Sequence, residues 1–172
     1  MNKILFGLML LINISAYAEE FPAGLRLPTK QELAEEPSRN ESPTKFAKVT
    51  ADFNGDGKPD TAFLFVNVKN HKRILAVKLS SENGYEWKII DKGEFDWSYP
   101  EMAISSSDPG TKYETSCGIG LKKCSKNEPK SFTLKNSGLW YSPMDQGGAQ
   151  LFAWNHKKMI FEVMDVGDAA MD

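Results

Sequence analysis

The chain is poor in the residues that most often carry local metal chemistry, with two cysteines and two histidines among 172 residues. Cys117 and Cys124 are not a Cys-x-x-Cys pair and neither histidine lies near them, which excludes a zinc cage built from local spacing. It also lacks charge of one sign. Lys and Arg number 21 against 23 Asp and Glu, for a net charge of −2, the wrong balance for a nucleic-acid binder, whose basic residues gather on one face. There is no long apolar run, because Ile4–Ile14, eleven residues broken only by Gly7 and Asn13, falls well short of the ~20 residues that cross a bilayer. Gly-x-Ser-x-Gly, His-Glu-x-x-His and Gly-x-x-x-x-Gly-Lys are all missing. Ser42-Pro43-Thr44-Lys45 matches Ser-x-x-Lys in form only, since it lies in a proline-rich stretch with no helix to present it.

What is present reads first as an export signal. Lys3 precedes the short apolar run, and Ser15-Ala16-Tyr17-Ala18 gives the small–x–small pattern accepted by signal peptidase. Residues 1–18 are therefore expected to be a signal peptide, leaving the mature chain periplasmic or secreted. No membrane insertion is expected after cleavage. Outside the cytoplasm, Cys117 and Cys124 read as a disulfide, with Gly118 and Gly120 letting the short loop bend.

From residue 19 to 45 the chain is a polar arm interrupted by Pro22, Pro28, Pro37 and Pro43. Thr29-Lys30-Gln31-Glu32 has the form of a capping box, and Pro37 stops the short helix it would start. Residues 46–172 are expected to form the β domain. Period-two patterning predicts strands near 46–51, 61–68, 74–79, 85–90, 131–134, 149–154 and 159–164. Asn70-His71, Glu82-Asn83-Gly84, Asn136-Ser137-Gly138 and Asn155-His156-Lys157 supply the turns. The fold class is mainly β, an antiparallel sheet or small sandwich-like domain with one short N-terminal helix. Phe63–Val66, apolar on both faces, is the expected central strand. The stretch from Asp91 to Lys130 shows little periodicity and is expected to be a long irregular loop stapled by the disulfide.

One motif carries chemistry. Asp52-Phe53-Asn54-Gly55-Asp56-Gly57-Lys58-Pro59-Asp60 places oxygen side chains at relative positions 1, 3, 5 and 9 with glycine at 6, the spacing that wraps a hard cation. It is not an EF-hand: Phe63 stands where a bidentate Glu belongs and a strand follows. Lys48–Leu64 instead resembles the calcium loops of FG-GAP and VCBS repeats, in which such a loop joins two strands of a hairpin. The resemblance implies one structural calcium site using Asp52, Asn54, Asp56, the Lys58 carbonyl and Asp60. A site without a bidentate Glu would bind at about 10⁻⁴–10⁻³ M. The likeness covers one repeat, too little for a propeller.

Other candidates are weaker. His71 and His156 sit in turns beside lysines, as solvated histidines do. Carboxylate pairs are common in any acidic chain, and Glu94 and Asp96 beside Trp97 suggest glycoside chemistry only if the fold sets the separation that defines such a pair. Trp97-Ser98-Tyr99 and Trp140-Tyr141 read as core residues, or as a rigid patch for a protein or glycan partner if exposed. Glu162, Asp165, Asp168 and Asp172 read as a solvated edge. The expected function is that of an exported, non-catalytic, calcium-binding β domain acting as an interaction module. The alternatives are a periplasmic inhibitor or immunity protein that neutralises a toxin or cell-wall enzyme, and a cell-wall or glycan hydrolase.

Overall fold

The structure is a computed structural model, and it describes residues 20–82, 84–92, 102–144 and 148–167. The expected signal peptide (residues 1–18), the Glu94–Asp96–Trp97–Tyr99 cluster, Asp168 and Asp172 lie outside the described residues. Two antiparallel sheets pack face to face. The first is built on β3 (Asp60–Asn67), β4 (Arg73–Ser81) and β5 (Gly84–Asp91), which neighbour one another in that order. Along the free edge of β3 lie β2 (Lys48–Ala51), paired with its beginning, and β1 (Leu25–Arg26), paired with its end. The second sheet runs β11 (Ile160–Met164), β10 (Gln150–Asn155), β9 (Gly138–Pro143), β6 (Met102–Ser107). A separate hairpin joins β7 (Lys112–Glu114) to β8 (Ser131–Thr133).

Strand periodicity explains the layering, because successive side chains point to opposite faces. On β3, Ala62, Leu64 and Val66 face Ile104, Leu139, Tyr141 and Phe152 of the second sheet in the main core. Phe63 and Phe65 point the other way and are nevertheless fully buried, because Phe21 and Leu25 of the N-terminal arm and Trp87 of β5 cover them. Phe21 meets Phe65 edge-on at 5.2 Å between ring centroids, a favoured aromatic geometry. On the far side, the β7–β8 hairpin lays Tyr113 and Phe132 over Trp140 and Leu151. Trp140 and Tyr141 are thus both core residues, on opposite faces of β9.

The arm holds the predicted capping box. Thr29 caps α1 (Lys30–Ala34), accepting from the Glu32 N–H while the Glu32 carboxylate accepts from the Thr29 N–H. A 3-10 turn at Pro37–Glu41 follows and buries Arg39 completely. Its guanidinium donates to the carbonyls of Lys45 and Met102, joining the arm to β6.

Two sequence expectations need correction. The stretch from Asp91 to Lys130 is not a continuous irregular loop, since it contains β6 and β7. Met102, Ala103 and Ile104 are all buried, so β6 lacks the polar alternation that marks a one-sided strand. The first predicted strand begins at Lys48, not Phe46. Lys45 and Phe46 have φ of 55° and 52°, a left-handed backbone that no strand contains. Tertiary hydrogen bonds hold this kink: Leu64 N–H donates to the Ala47 carbonyl and Ile104 N–H to that of Phe46, so residues 46–47 bridge the two sheets.

Candidate functional site

The Asp52–Asp60 loop connects β2 to β3. Asp52 acts as its organiser: Oδ1 accepts from the N–H groups of Gly55 and Asp56 at 2.7 and 3.2 Å, and Oδ2 from Gly57 at 2.9 Å. Asn54 Oδ1 accepts from Asp56 N–H at 3.0 Å, and Asp56 Oδ1 from Lys58 N–H at 2.9 Å. Each is a short side chain closing a turn on backbone two to five residues ahead. Gly57 has φ of 82° and supplies the left-handed step expected at position 6.

Asp60 has a different task. It is fully buried; its Oδ2 accepts from Phe53 N–H (2.9 Å) and Asn54 N–H (3.2 Å), and its Oδ1 from Ser80 N–H of β4 (2.7 Å). Burial pushes its carboxyl above the usual range. The three backbone donors oppose that rise, and the charge of Asp56 adds to it. Among the described residues none of these three carboxylates has a Lys or Arg within ion-pairing distance.

The donor set is all oxygen, which suits a hard cation and not zinc or copper. Asp56 keeps most of its acceptor capacity open, and Asp52 and Asn54 keep part of theirs. Among the described residues no three His, Cys, Asp or Glu side chains converge as a ready-made metal cage. A cation here would have to draw on the Asn54 amide and the Lys58 carbonyl beside the two carboxylates of Asp52 and Asp56.

The loop leans on a second loop. Ser137 N–H donates to the Asp52 carbonyl at 3.2 Å and Asn136 Nδ2 to the Phe53 carbonyl at 3.4 Å. Gly55 has φ of 75°, and a Cβ there would stand 2.4 Å from Asn136 Oδ1, so a larger residue would be strained and would push the Asn136 side chain aside. Asn136 Nδ2 also meets His156 Nε2 at 3.0 Å. An amide nitrogen only donates, so in this contact His156 Nε2 is the acceptor. His156 is therefore more than a solvated turn residue, whereas His71 is an exposed turn residue with φ of 57°. The sequence carried no sign that residues 52–57, 136 and 156 meet.

Beside Asn136 and His156 a cavity of about 430 Å³ opens between the β8–β9 turn and the β10–β11 turn. On its wall, Asn155 donates to Glu162 Oε2 at 2.7 Å and Lys158 to Glu162 Oε1 at 2.6 Å. These hydrogen bonds, that of Asn155 foremost, hold the Glu162 carboxyl below its usual range. The chain matches no family model, no curated protein and no solved structure.

Cys117 and Cys124 are bonded, with Cα atoms 4.9 Å apart, which points to an oxidising compartment. Among the described residues no helix is long and apolar enough to cross a membrane. The disulfide loop ties to the chain end: Lys122 Nζ bridges Glu128 (2.8 Å) and Asp165 (2.9 Å), and those two hydrogen bonds push its ammonium up to about 12. Asp165 is thus bonded, not simply solvated. At the end of β3 and β4 away from the 52–60 loop, buried Arg73 donates to the Tyr141 hydroxyl, which donates to Asp91 Oδ2 at 3.0 Å. Burial drives the Tyr141 phenol well above its ordinary value.

Proposed function

We propose that the chain is an exported, non-catalytic binding module whose Asp52–Asp60 loop takes one calcium ion and thereby stiffens the end of the sandwich where a partner docks. The observation that carries this reading is the charge of the loop. Asp52, Asp56 and Asp60 lie within nine residues, hydrogen-bonded to backbone N–H groups, with no cationic partner among the described residues. Burial first, and the charge of Asp56 in addition, disfavour the ionised form of Asp60, and a divalent cation held by the loop would offset that carboxylate charge. Asp52, Asn54, Asp56 and the Lys58 carbonyl would hold the ion, with water completing the six to eight oxygens calcium takes. Asp60 would hold the loop to β4 from beneath. The likeness of residues 48–64 to FG-GAP and VCBS loops supports the choice of calcium, and the disulfide supports export.

The test is a thermal melt of the purified protein in EDTA, in millimolar calcium and in equal magnesium. Calcium should raise the midpoint of the wild type more than magnesium does, and should leave Asp56→Ala unmoved. A wild-type midpoint indifferent to calcium refutes the cation site.

A further inference from the structure

We infer that the cavity between the β8–β9 and β10–β11 turns binds a small organic anion, a carboxylate carried on a compact apolar body. The inference rests on the binding-module reading and adds to it the ligand class and the place. Its volume, about 430 Å³, lies in the range of small-molecule sites. Phe132, Leu134, Ala153 and Met164 line it, and all four belong to the apolar layer that the β7–β8 hairpin forms on the second sheet. Those four offer a ligand an apolar contact face, and Thr133, Ser137 and Asn155 add hydrogen-bonding groups around it.

The rim has the opposite chemistry. Lys135 and Lys157 stand exposed on facing turns with Asn136 and His156 beside them. Among the described residues neither lysine makes an ion pair. Among the described lining residues the one acid, Glu162, is already bridged by Lys158 and Asn155, so Lys135 and Lys157 are the unpaired charges of the lining itself, with the carboxylates of the 52–60 loop behind Asn136. Both walls are set in advance. Ser137 N–H and Asn136 Nδ2 fasten one to the 52–60 loop, and Asn155 Oδ1 caps the N–H groups of Lys157 and Lys158 at 3.0 and 3.2 Å on the other. A preformed apolar slot with a cationic rim favours an anion attached to an apolar body, because an ammonium donates more strongly to a carboxylate than to a neutral acceptor.

The experiment is isothermal titration of the full protein with 3-phenylpropanoate and with its neutral isostere 3-phenylpropanamide, each in EDTA and in calcium. The carboxylate should bind with a dissociation constant of about 1 mM or tighter, and the amide about tenfold more weakly. Lys135→Ala/Lys157→Ala should bring the carboxylate down to the level of the amide without changing the melting midpoint, since both side chains are exposed. Equal binding of acid and amide, a double variant that binds like wild type, or no binding of either compound overturns the proposal. The melting shift with calcium separates the two readings. Carboxylate binding without a calcium shift leaves the pocket standing and removes the cation; a calcium shift without carboxylate binding does the reverse.

Discussion

Replacing Asp60 by alanine tests whether one buried carboxylate holds the loop to the sandwich. The substitution orphans three backbone donors: Phe53 N–H, which is buried, and Asn54 and Ser80 N–H, which are partly buried. An unsatisfied buried donor costs about 1–3 kcal/mol, and each partly buried one about 1 kcal/mol because water can replace the lost acceptor in part. Removing a desolvated charge returns some of this, as the upward shift of the Asp60 carboxyl implies. The expected loss is therefore about 3 kcal/mol, or roughly 6–12 °C in midpoint for a domain of this size. The assay is thermal and urea unfolding in EDTA, where no cation can contribute. Asp60→Asn retains an acceptor oxygen on one side only and should fall between wild type and alanine. An alanine variant melting within about 2 °C of wild type would refute the claim that Asp60 is the anchor.

Three further outcomes follow from other parts of the fold. Cys117→Ser should lower stability by roughly 2.5 kcal/mol, the loop-closure value for about eight residues, and leave the calcium midpoint unchanged; urea unfolding with and without calcium measures both. Gly118→Ala places a Cβ 1.9 Å from the Lys130 carbonyl oxygen, a backbone atom that cannot swing aside. It should cost about 1–3 kcal/mol, read in the same assay. Glu32 is held down to about 2, from the usual 4.5, chiefly by its hydrogen bonds to Arg26, with Thr29 adding to them against the effect of burial. A folded-state value below the unfolded one means this contribution is complete above pH 4.5 and lost as pH falls through about 2. An NMR titration of the Glu32 carboxyl in wild type and Arg26→Ala should show the midpoint rising in the variant.

Local pattern made much of this architecture readable. Strands β3, β4 and β5 show as short apolar runs between Asn- and Gly-bearing turns, and α1 as a capping box stopped by Pro37. The two-faced apolarity of Phe63–Val66 marks a strand covered on both sides, and the structure supplies the covers: the second sheet on one side, Phe21 and Leu25 on the other. β6 and β9 escape such reading. Gly138–Pro143 is buried at every position, so no period distinguishes it, and its strand character comes from its two neighbours, Met102–Ser107 some thirty-five residues earlier and the Gln150–Phe152 part of β10 that follows it. Arg39 escapes as well, because a charged residue in a polar arm gives no sign that it will be wholly enclosed.

The candidate site divides along the same line. Spacing alone placed Asp52, Asn54, Asp56 and Asp60 in one loop, because alternate residues of a tight turn must share a side and glycine must occupy the left-handed step. Only the tertiary structure separated their roles, burying Asp60 against Ser80 of β4 while leaving Asp56 exposed. The cavity beside them lies wholly in the second category. Its walls come from turns some twenty residues apart, fastened to a loop about eighty residues earlier in the chain. Local propensity decides the turns; which turns meet is decided by the pairing of β9 with β10 and the burial of the core they share.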